Sequence, residues 1–159
     1  MKITIIAVGR LKEKYLKDAI AEYSKRLSRY CDLKIIEVED EQAPENLSHA
    51  QEIQVKKKEA EKMLKKIKPG STLIVLDLKG EQPTSEGLAA KLDSFMVSGA
   101  SNLTFIIGGS LGIDDELLQM ANYKLCMSKM TFPHQLARLI LLEQLYRGFK
   151  ILAGEPYHK

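Results

Sequence analysis

The stretch LTFIIGGSLGIDDELL, residues 103–118, contains a complete strand–turn–helix unit. Its first part, Leu103–Ile107, is a short and nearly continuous apolar run, which is typical of a strand covered by helices on both faces. The glycines of Gly108–Gly112 permit a tight turn, and the acidic pair Asp114–Asp115 favours a helix start. The unit predicts an α/β fold with a largely parallel sheet.

Outward from this unit, apolar runs alternate with helical patterns along the whole chain, which indicates βαβ units. We find no repeat, linker or low-complexity stretch, and we expect a single α/β domain over residues 1–159, with helices on both faces of the sheet. The predicted strands are Ile3–Val8, Leu33–Val38, Thr72–Leu78, Leu103–Ile107 and Lys124–Met127. The predicted helices cover residues 13–30, 47–67, 85–97, 114–121 and 134–152.

Composition places the chain among ordinary globular proteins: 159 residues, of which 45% are apolar and 28% charged. The opening MKITIIAVGR is too short for a secretory signal, and no stretch approaches the length of a membrane span. The lone cysteines Cys31 and Cys126 predict reduced thiols and a cytoplasmic protein. Because His49, His134 and His158 show no ligand spacing, we expect no structural metal.

Charge is distributed in blocks. Residues 1–30, 31–52, 53–70, 71–123 and 124–159 carry formal charges of +5, −6, +5, −5 and +4. Separate basic blocks fit a protein that meets a polyanion on one side, although solvated lysine-rich faces would produce the same counts. The first predicted helix has one apolar face. Its opposite face presents basic residues that are suited to following phosphates, namely Lys14, Lys17, Lys25 and Arg29.

The last predicted helix, HQLARLILLEQLYRGFKIL, is apolar over more than half of its circumference. Such a helix must be buried on more than one side. Helices of α/β domains normally pack on the outside of the sheet, which buries one side of the helix. We therefore expect another copy of the chain to bury the other side. The sequence therefore predicts a homodimer through the C-terminal helix; a central helix buried within one chain is the alternative.

The glycine-rich segment Gly108–Gly112 admits three interpretations. It lacks the G-x-G-x-x-G pattern and follows the fourth strand, so it is a weak dinucleotide-binding fingerprint. It matches G-x-S-x-G, which would make Ser110 the nucleophile of a serine hydrolase, with an acid and His158 following in chain order. Against a hydrolase, the chain is short and lacks an HGGG-type oxyanion segment. The third interpretation is a tight structural turn.

The chain from Met127 onward reads MSKMTFPHQLARLILLEQLYRGFKILAGEPYHK. It resembles the C-terminus of the ribosomal RNA large subunit methyltransferase H family, within the SPOUT superfamily. The matching features are the S-x-M-T-hydrophobic-P-H loop, the L-x-R and E-Q-L-Y-R patterns, and the terminal P-Y-H-basic tail. The opening MKITIIAVGR, the LIVLDLKG strand and the IIGG loop also fit, so the resemblance covers essentially the full chain.

The resemblance implies a fold that composition and periodicity do not predict, a SPOUT-type sheet with its C-terminal part threaded into a trefoil knot. It implies S-adenosylmethionine as the methyl donor, bound in the knot by main-chain groups of three loops. On this view the loop glycines leave room for the adenosine, and apolar side chains enclose the adenine. The implied donor-binding residues are Leu76, Gly108, Met127, Ser128, Lys129, Met130, Thr131 and Phe132.

The resemblance also implies the acceptor, N3 of a pseudouridine in 23S rRNA within the assembled ribosome. The tail residues His158 and Tyr157 become candidates for catalysis, together with Arg147. Arg138 becomes a candidate for RNA binding or for the subunit interface, whereas His134 at the helix start is expected to be structural. A ribosome-binding module without catalytic activity is the other alternative.

Overall fold

The computed structural model describes residues 1–42 and 44–158 and contains a five-stranded, all-parallel sheet. The predicted fold class, mixed α/β with a parallel sheet and helices on both faces, is confirmed. The strands are β1 (Lys2–Val8), β2 (Asp32–Val38), β3 (Thr72–Glu81), β4 (Asn102–Ile107) and β5 (Tyr123–Leu125), and they lie in the order β2-β1-β4-β3-β5. The helices are α1 (Lys14–Leu27), α2 (His49–Leu64), α3 (Ser85–Val97), α4 (Asp115–Met120) and α5 (His134–Leu152).

Two hydrophobic cores lie on opposite faces of the sheet. Side chains alternate along a strand, so Ile3 and Ile5 of β1 point to one core while Ile6 and Val8 point to the other. The first core is covered by α1, α3 and α5, and the second by α2 and α4. The nearly continuous apolar strands predicted from the sequence are therefore buried on both faces.

Local signals set the helix starts. Ser48 accepts a hydrogen bond from the Gln51 N–H while the Gln51 side chain returns one to the Ser48 N–H, which forms a capping box before α2. The side-chain oxygens of Thr84 and Asp114 cap α3 and α4 by accepting from the N–H groups of Gly87 and Glu116. The predicted helices consequently begin within two residues of the observed ones.

The end of β3 departs from the predicted strand. The strand continues to Glu81, and both Leu76 and Glu81 pair with Leu125 of β5, with an irregularity between them. A Cβ atom on Gly80 would lie 2.6 Å from the carbonyl oxygen of Lys124, so only glycine permits this approach. The last residues of β3 are thus held tightly against the end of β5. The trefoil knot implied by the resemblance stays a prediction.

Helix α5 lies between α1 and α3 on the sheet, which accounts for most of its apolar surface within one chain. Leu142 is fully buried, and Gly148 brings the helix close to Leu92 of α3. Among the described residues, the apolar side chains of α5 that stay open to another molecule include an outer strip near its start, with Leu136 exposed and Leu139 and Ile140 partly so, and exposed Leu152 at its end. The predicted homodimer therefore depends on that strip rather than on the whole circumference.

Other global features agree with an ordinary globular chain. Both cysteines are free and both are buried, and burial raises the pKa of the Cys31 thiol to about 11. Within the described residues, no helix is both long and apolar enough to cross a membrane. The same residues contain no cluster of three or more His, Cys, Asp or Glu side chains that could hold a metal ion.

Candidate active site

Three loops meet at one edge of the sheet. Strands β4, β3 and β5 are neighbours and run parallel, so the segments that follow them leave the sheet at the same edge. Ligands of open α/β sheets bind at this carboxyl edge. Leu76 lies near the end of the regular part of β3, Gly108 follows β4, and residues 127–132 follow β5. The structure thus brings the three predicted donor-binding segments to a common edge.

The space beside the loop glycines is filled by other atoms of the same loop. A Cβ on Gly108 would lie 2.5 Å from Cδ1 of Ile113 and 2.9 Å from the carbonyl oxygen of Gly112. Gly112 itself has a φ of +94°, in the left-handed region that favours glycine. The requirement for glycine at these positions therefore comes from the packing of the loop, not from the room for adenosine that the sequence interpretation assumed.

Apolar side chains are unusually exposed at this edge. Met130 is 71% exposed and Leu78, beside the expected donor site, is 65% exposed, while Leu76, Met127 and Phe132 are half-buried. Apolar groups of this kind beside loop main chain, which can offer N–H and C=O groups, suit a flat heterocycle with a polar edge. The residues present fit the adenosine part of the expected donor.

A buried carboxyl lies beneath the glycine loop. Glu59 of α2 is 4% exposed, and both its carboxylate oxygens lie 3.2 Å from the position a Cβ would take on Gly109. The N–H of Glu41 donates to Oε2 of Glu59 at 3.1 Å. Burial raises the pKa of Glu59, and the nearby Asp40 carboxylate raises it further. The sequence interpretation missed this residue. The sequence pattern that could have identified it is the four-residue spacing of Glu59 and Met63, which places an acid on the buried side of α2.

Ser110 has no catalytic surroundings. It is exposed on the glycine loop and lines a cleft of about 430 Å³ that the segment 44–48 closes on the other side. Among the described residues only glycines have a positive φ, so Ser110 does not have the strained backbone of a nucleophile elbow. The ring nitrogens of His158 contact Arg147 and Glu86 instead. The hydrolase alternative thus has no structural support.

The three predicted catalytic residues are brought together beside α5, to which only Arg147 belongs. Arg147 donates to Oε1 of Glu143 at 2.6 and 3.0 Å, and the Tyr157 hydroxyl donates to the same oxygen at 3.2 Å. The guanidinium of Arg147 also lies over the Tyr157 ring, 4.7 Å from its centroid. His158 contacts Arg147 at 3.1 Å and Glu86 at 2.6 Å. We call Glu86, Glu143, Arg147, Tyr157 and His158 the tail cluster; its two glutamates were not predicted from the sequence.

The contacts of His158 define its tautomer. A guanidinium can only donate, so Nδ1 of His158 accepts from Arg147, and Nε2 carries the proton that faces the Glu86 carboxylate. Both ring nitrogens are therefore engaged. The pKa of Tyr157 is raised to about 12 by burial, by its hydrogen bond with Tyr23 and by the Glu143 carboxylate, so its hydroxyl stays protonated at neutral pH. In this arrangement neither side chain offers a free base.

The described part of the tail folds back along α5. Glu155 accepts hydrogen bonds from the Tyr30 hydroxyl at 2.7 Å and from Lys150 at 3.0 Å. The Tyr157 ring packs edge-on against Tyr146, with centroids 5.0 Å apart. Lys159, the basic residue of the predicted tail motif, lies outside the described residues. The tail is thus anchored by an ion pair, a hydrogen bond and an aromatic contact.

The tail cluster is separated from the third loop of the site. Residues 127–132 lead into α5 at His134, and Arg147 follows thirteen residues later, about 20 Å along the helix axis. The cluster does touch the first turn of α3 through Glu86, and α3 begins just after the loop that follows β3. The structure therefore joins the tail to one end of the carboxyl edge but not to all three loops.

Arg138 has a structural role, which corrects its prediction as an RNA-binding residue. Its side chain is 1% exposed, with Nη1 2.6 Å from the Glu37 carboxylate and Nη2 3.2 Å from the carbonyl oxygen of Gly9. A guanidinium held in this way cannot meet a phosphate without leaving both partners. His134 lies beside Gly9 at the start of α5, consistent with the structural role predicted for it.

The predicted basic face of α1 is exposed. Lys17 and Lys25 are exposed, Lys14 pairs with Asp18 at 2.7 Å, and Arg29 lies 3.4 Å from Glu155. The first turn of α1 contains no acidic residue and begins with Lys14, although a helix dipole disfavours a cation there. The pair of Lys14 with Asp18 offsets this within the helix. Exposed Arg26, beside the Tyr23 and Tyr146 rings, extends the face and was not predicted.

Comparison with known proteins gives a family match over nearly the whole chain. The family model described as "Predicted SPOUT methyltransferase" matches residues 1–158. The chain is 67% identical to the Ribosomal RNA large subunit methyltransferase H of Acetivibrio thermocellus and 65% identical to that of Ruminiclostridium cellulolyticum, over 100% of both chains in each case.

Solved structures with similar folds have low sequence identity. A probable methylase family protein from Haemophilus influenzae is 13% identical, with a TM-score of 0.52 over 99% of this chain and 70% of the other. A tRNA (m1G37) methyltransferase from Aquifex aeolicus is 10% identical, with a TM-score of 0.54 over 92% of this chain and 70% of the other. These two comparisons concern the fold alone.

Proposed function

Because the chain belongs to the SPOUT methyltransferase family, we propose that it methylates N3 of a pseudouridine in 23S rRNA, using S-adenosylmethionine and acting on the assembled ribosome. The observation that carries the proposal is 67% identity, over the full length of both chains, to a protein named for methylation of large-subunit ribosomal RNA. The predicted donor-binding segments also share one edge of the sheet.

The donor site in this proposal is the carboxyl edge of β4, β3 and β5. Main-chain groups near Leu76, Gly108 and residues 127–132 would hold the polar parts of the donor. The half-buried and exposed apolar side chains of the same loops would cover the adenine. When bound, S-adenosylmethionine supplies an activated methyl group on a sulfonium that is itself the leaving group.

The remaining chemical tasks belong to the protein. The site must align the uracil ring with the methyl group and exclude water, and the N3 proton must leave before or during attack. The tail cluster is the proposed source of these groups. Arg147 and the Tyr157 hydroxyl are donors that could stabilise charge on the uracil oxygens, since both remain protonated at neutral pH.

His158 is the proposed proton acceptor, and this role requires the tail to move. Its Nδ1 accepts from Arg147 and its Nε2 faces Glu86 in the docked tail. Contact with RNA would have to free one ring nitrogen. The docked tail is, on this proposal, the resting state of the enzyme before the ribosome binds.

The RNA surface in this proposal is the exposed face of α1, extended by Arg26. The face runs from Lys14 to Arg29, about 22 Å along the helix direction, enough to follow several phosphates.

We further propose a homodimer through the outer strip of α5 formed by Leu136, Leu139 and Ile140, and a cytoplasmic location where ribosomes are found. Sedimentation velocity tests the dimer, since a monomer at all concentrations would contradict it.

Calorimetric titration with S-adenosylmethionine tests the donor part of the proposal. We expect saturable binding with one site per chain, and Ser110→Ala should leave both binding and methyl transfer largely intact, because Ser110 has no proposed catalytic role. A chain that binds ribosomes but shows no affinity for the donor would favour the non-catalytic binding module.

A further inference from the structure

We propose that the Glu59 carboxylate makes the donor site favour the positively charged methyl donor over its neutral demethylated product. The inference rests on the proposed function, because it takes the glycine loop to be part of the donor site. S-adenosylmethionine carries a sulfonium, an ammonium and a carboxylate, a net charge of +1. The product has lost the sulfonium charge and is neutral overall. A fixed negative charge beneath the loop would therefore attract the sulfonium of the donor and have no such charge to attract in the product.

The position of Glu59 links it directly to the loop. Its two carboxylate oxygens lie 3.2 Å from the point where a Cβ on Gly109 would stand, and Val8 of β1 lies equally close to that point. Gly109 is the neighbour of Gly108, and both follow the end of β4 at the carboxyl edge. No side chain therefore separates this carboxyl from the backbone of Gly109.

In the part of the chain that the structure describes, no cation forms a direct ion pair with the Glu59 carboxylate. Lys62, one turn further along α2, places its ammonium 2.7 Å from the Glu41 carboxylate and 3.2 Å from the Glu39 carbonyl oxygen. Asp40 and Glu41, from the segment after β2, raise the pKa of Glu59, whereas the nearby Lys62 ammonium lowers it. The groups packed from β1 and the glycine loop, Val8 and Gly109, carry no titratable side chain.

Packing alone does not explain an acid at this position. The hydrogen bond from the Glu41 N–H needs only an acceptor, which a glutamine amide oxygen would provide. A buried carboxylate without a paired cation destabilises the fold, and groups of this kind concentrate at functional sites. A cation on the ligand would offset this destabilisation only while the ligand is bound. The donor brings such a cation, and the product does not.

The experiment compares affinities for S-adenosylmethionine and S-adenosylhomocysteine by calorimetry at pH 7.5, using the whole wild-type protein and Glu59→Gln. We expect the substitution to weaken donor binding roughly tenfold and to change product binding less than about twofold. The loss of one unit charge would produce a change of this size if the sulfonium lay about 10 Å from Glu59, at an effective dielectric constant of about 20. Glu61→Gln, an exposed neighbour on α2 with the same loss of charge, should change neither affinity.

The outcomes separate this inference from the proposed function. If the wild-type protein binds neither compound, the proposed donor site is wrong. If it binds both and Glu59→Gln changes the two affinities equally or not at all, the role of Glu59 is overturned while the donor site stands.

A pH series on the wild-type protein provides a second measurement that does not depend on the folding of the variant. The ratio of donor to product affinity should rise with pH as Glu59 ionises, because both compounds share the same amino and carboxyl groups. A ratio that stays constant as the pH rises from about 4.5, the ordinary pKa of a glutamate, would also overturn the inference.

Discussion

The guanidinium of Arg147 and the carboxylate of Glu143, one turn apart on α5, are joined by two hydrogen bonds to the same oxygen, at 2.6 and 3.0 Å. That oxygen also accepts the Tyr157 hydroxyl at 3.2 Å, so one glutamate positions a helix residue and a tail residue together. The E-Q-L-Y-R pattern of the sequence thus includes the residue that organises the tail cluster as well as its arginine.

Glu143→Gln should lower the rate of methylation at saturating donor by about 10- to 100-fold. The reason is the loss of charge-assisted hydrogen bonds, each of which contributes about 1.5–3 kcal/mol. Donor affinity should be unchanged, since Glu143 lies outside the three loops. Single-turnover rates on ribosomes, together with donor titrations, check both statements. A variant that loses donor affinity but keeps its rate would assign Glu143 to the donor site.

His158→Ala should reduce methylation by about 10²–10⁴-fold, the range expected for a general base or a positioned proton acceptor. His49→Ala, which removes an exposed histidine at the start of α2, is the matched control and should have no effect. Both variants should bind the donor as the wild type does. Near-full activity of His158→Ala would leave the tail with an anchoring role only.

Charge reversal on α1 should weaken ribosome binding in a salt-dependent way. Replacing Lys17 and Lys25 with glutamate removes two cations from the exposed face and should reduce the slope of log affinity against log salt by about 2. The control is the same replacement at Lys65 and Lys66, exposed lysines just after α2, which packs on the other face of the sheet. Equal slopes in wild type and the α1 variant would make this face an ordinary solvated surface.

The raised pKa of Glu59 predicts how stability depends on pH. A carboxyl whose pKa is higher in the folded than in the unfolded state keeps its proton longer in the fold. Its ionisation therefore lowers the free energy of unfolding as pH rises from about 4.5 through the folded-state pKa.

Glu59→Gln should accordingly unfold at the same or a higher denaturant concentration than the wild type at pH 7. The two proteins should converge near pH 4, where the wild-type carboxyl is protonated. Urea titrations at the two pH values measure this. A variant that is less stable at pH 7 than at pH 4, relative to wild type, would mean that the ionised carboxylate stabilises the fold.

Much of the fold could be predicted from periodicity and capping, because the strands are apolar on both faces and the helix starts carry Ser48, Thr84 and Asp114. The irregular end of β3 could not, since the pairing of both Leu76 and Glu81 with Leu125 is a long-range contact that leaves no local pattern. For the same reason the order of the strands was not accessible from the sequence.

The site was predicted in part. The resemblance supplied the tail and loop residues. The role of Arg138 was predicted wrongly, because its partners Glu37 and Gly9 are far away in the sequence. The apolar circumference of α5 predicted a dimer, but α1 and α3 cover Leu142 within the chain, and the homodimer stays a prediction. Glu59 was missed since a glutamate among lysines resembles a surface ion pair until its burial is known.

The most direct test of the central claim is methyl transfer to ribosomes. Purified protein is incubated with 70S ribosomes that lack this modification and with S-adenosylmethionine labelled in its methyl group, and the rRNA is then digested and analysed by mass spectrometry. We predict one labelled methyl group per ribosome, on N3 of a pseudouridine in 23S rRNA. Label on another atom or another RNA would contradict the proposed specificity. Absence of any transfer, with donor binding shown in the same preparation, would contradict the proposed activity itself.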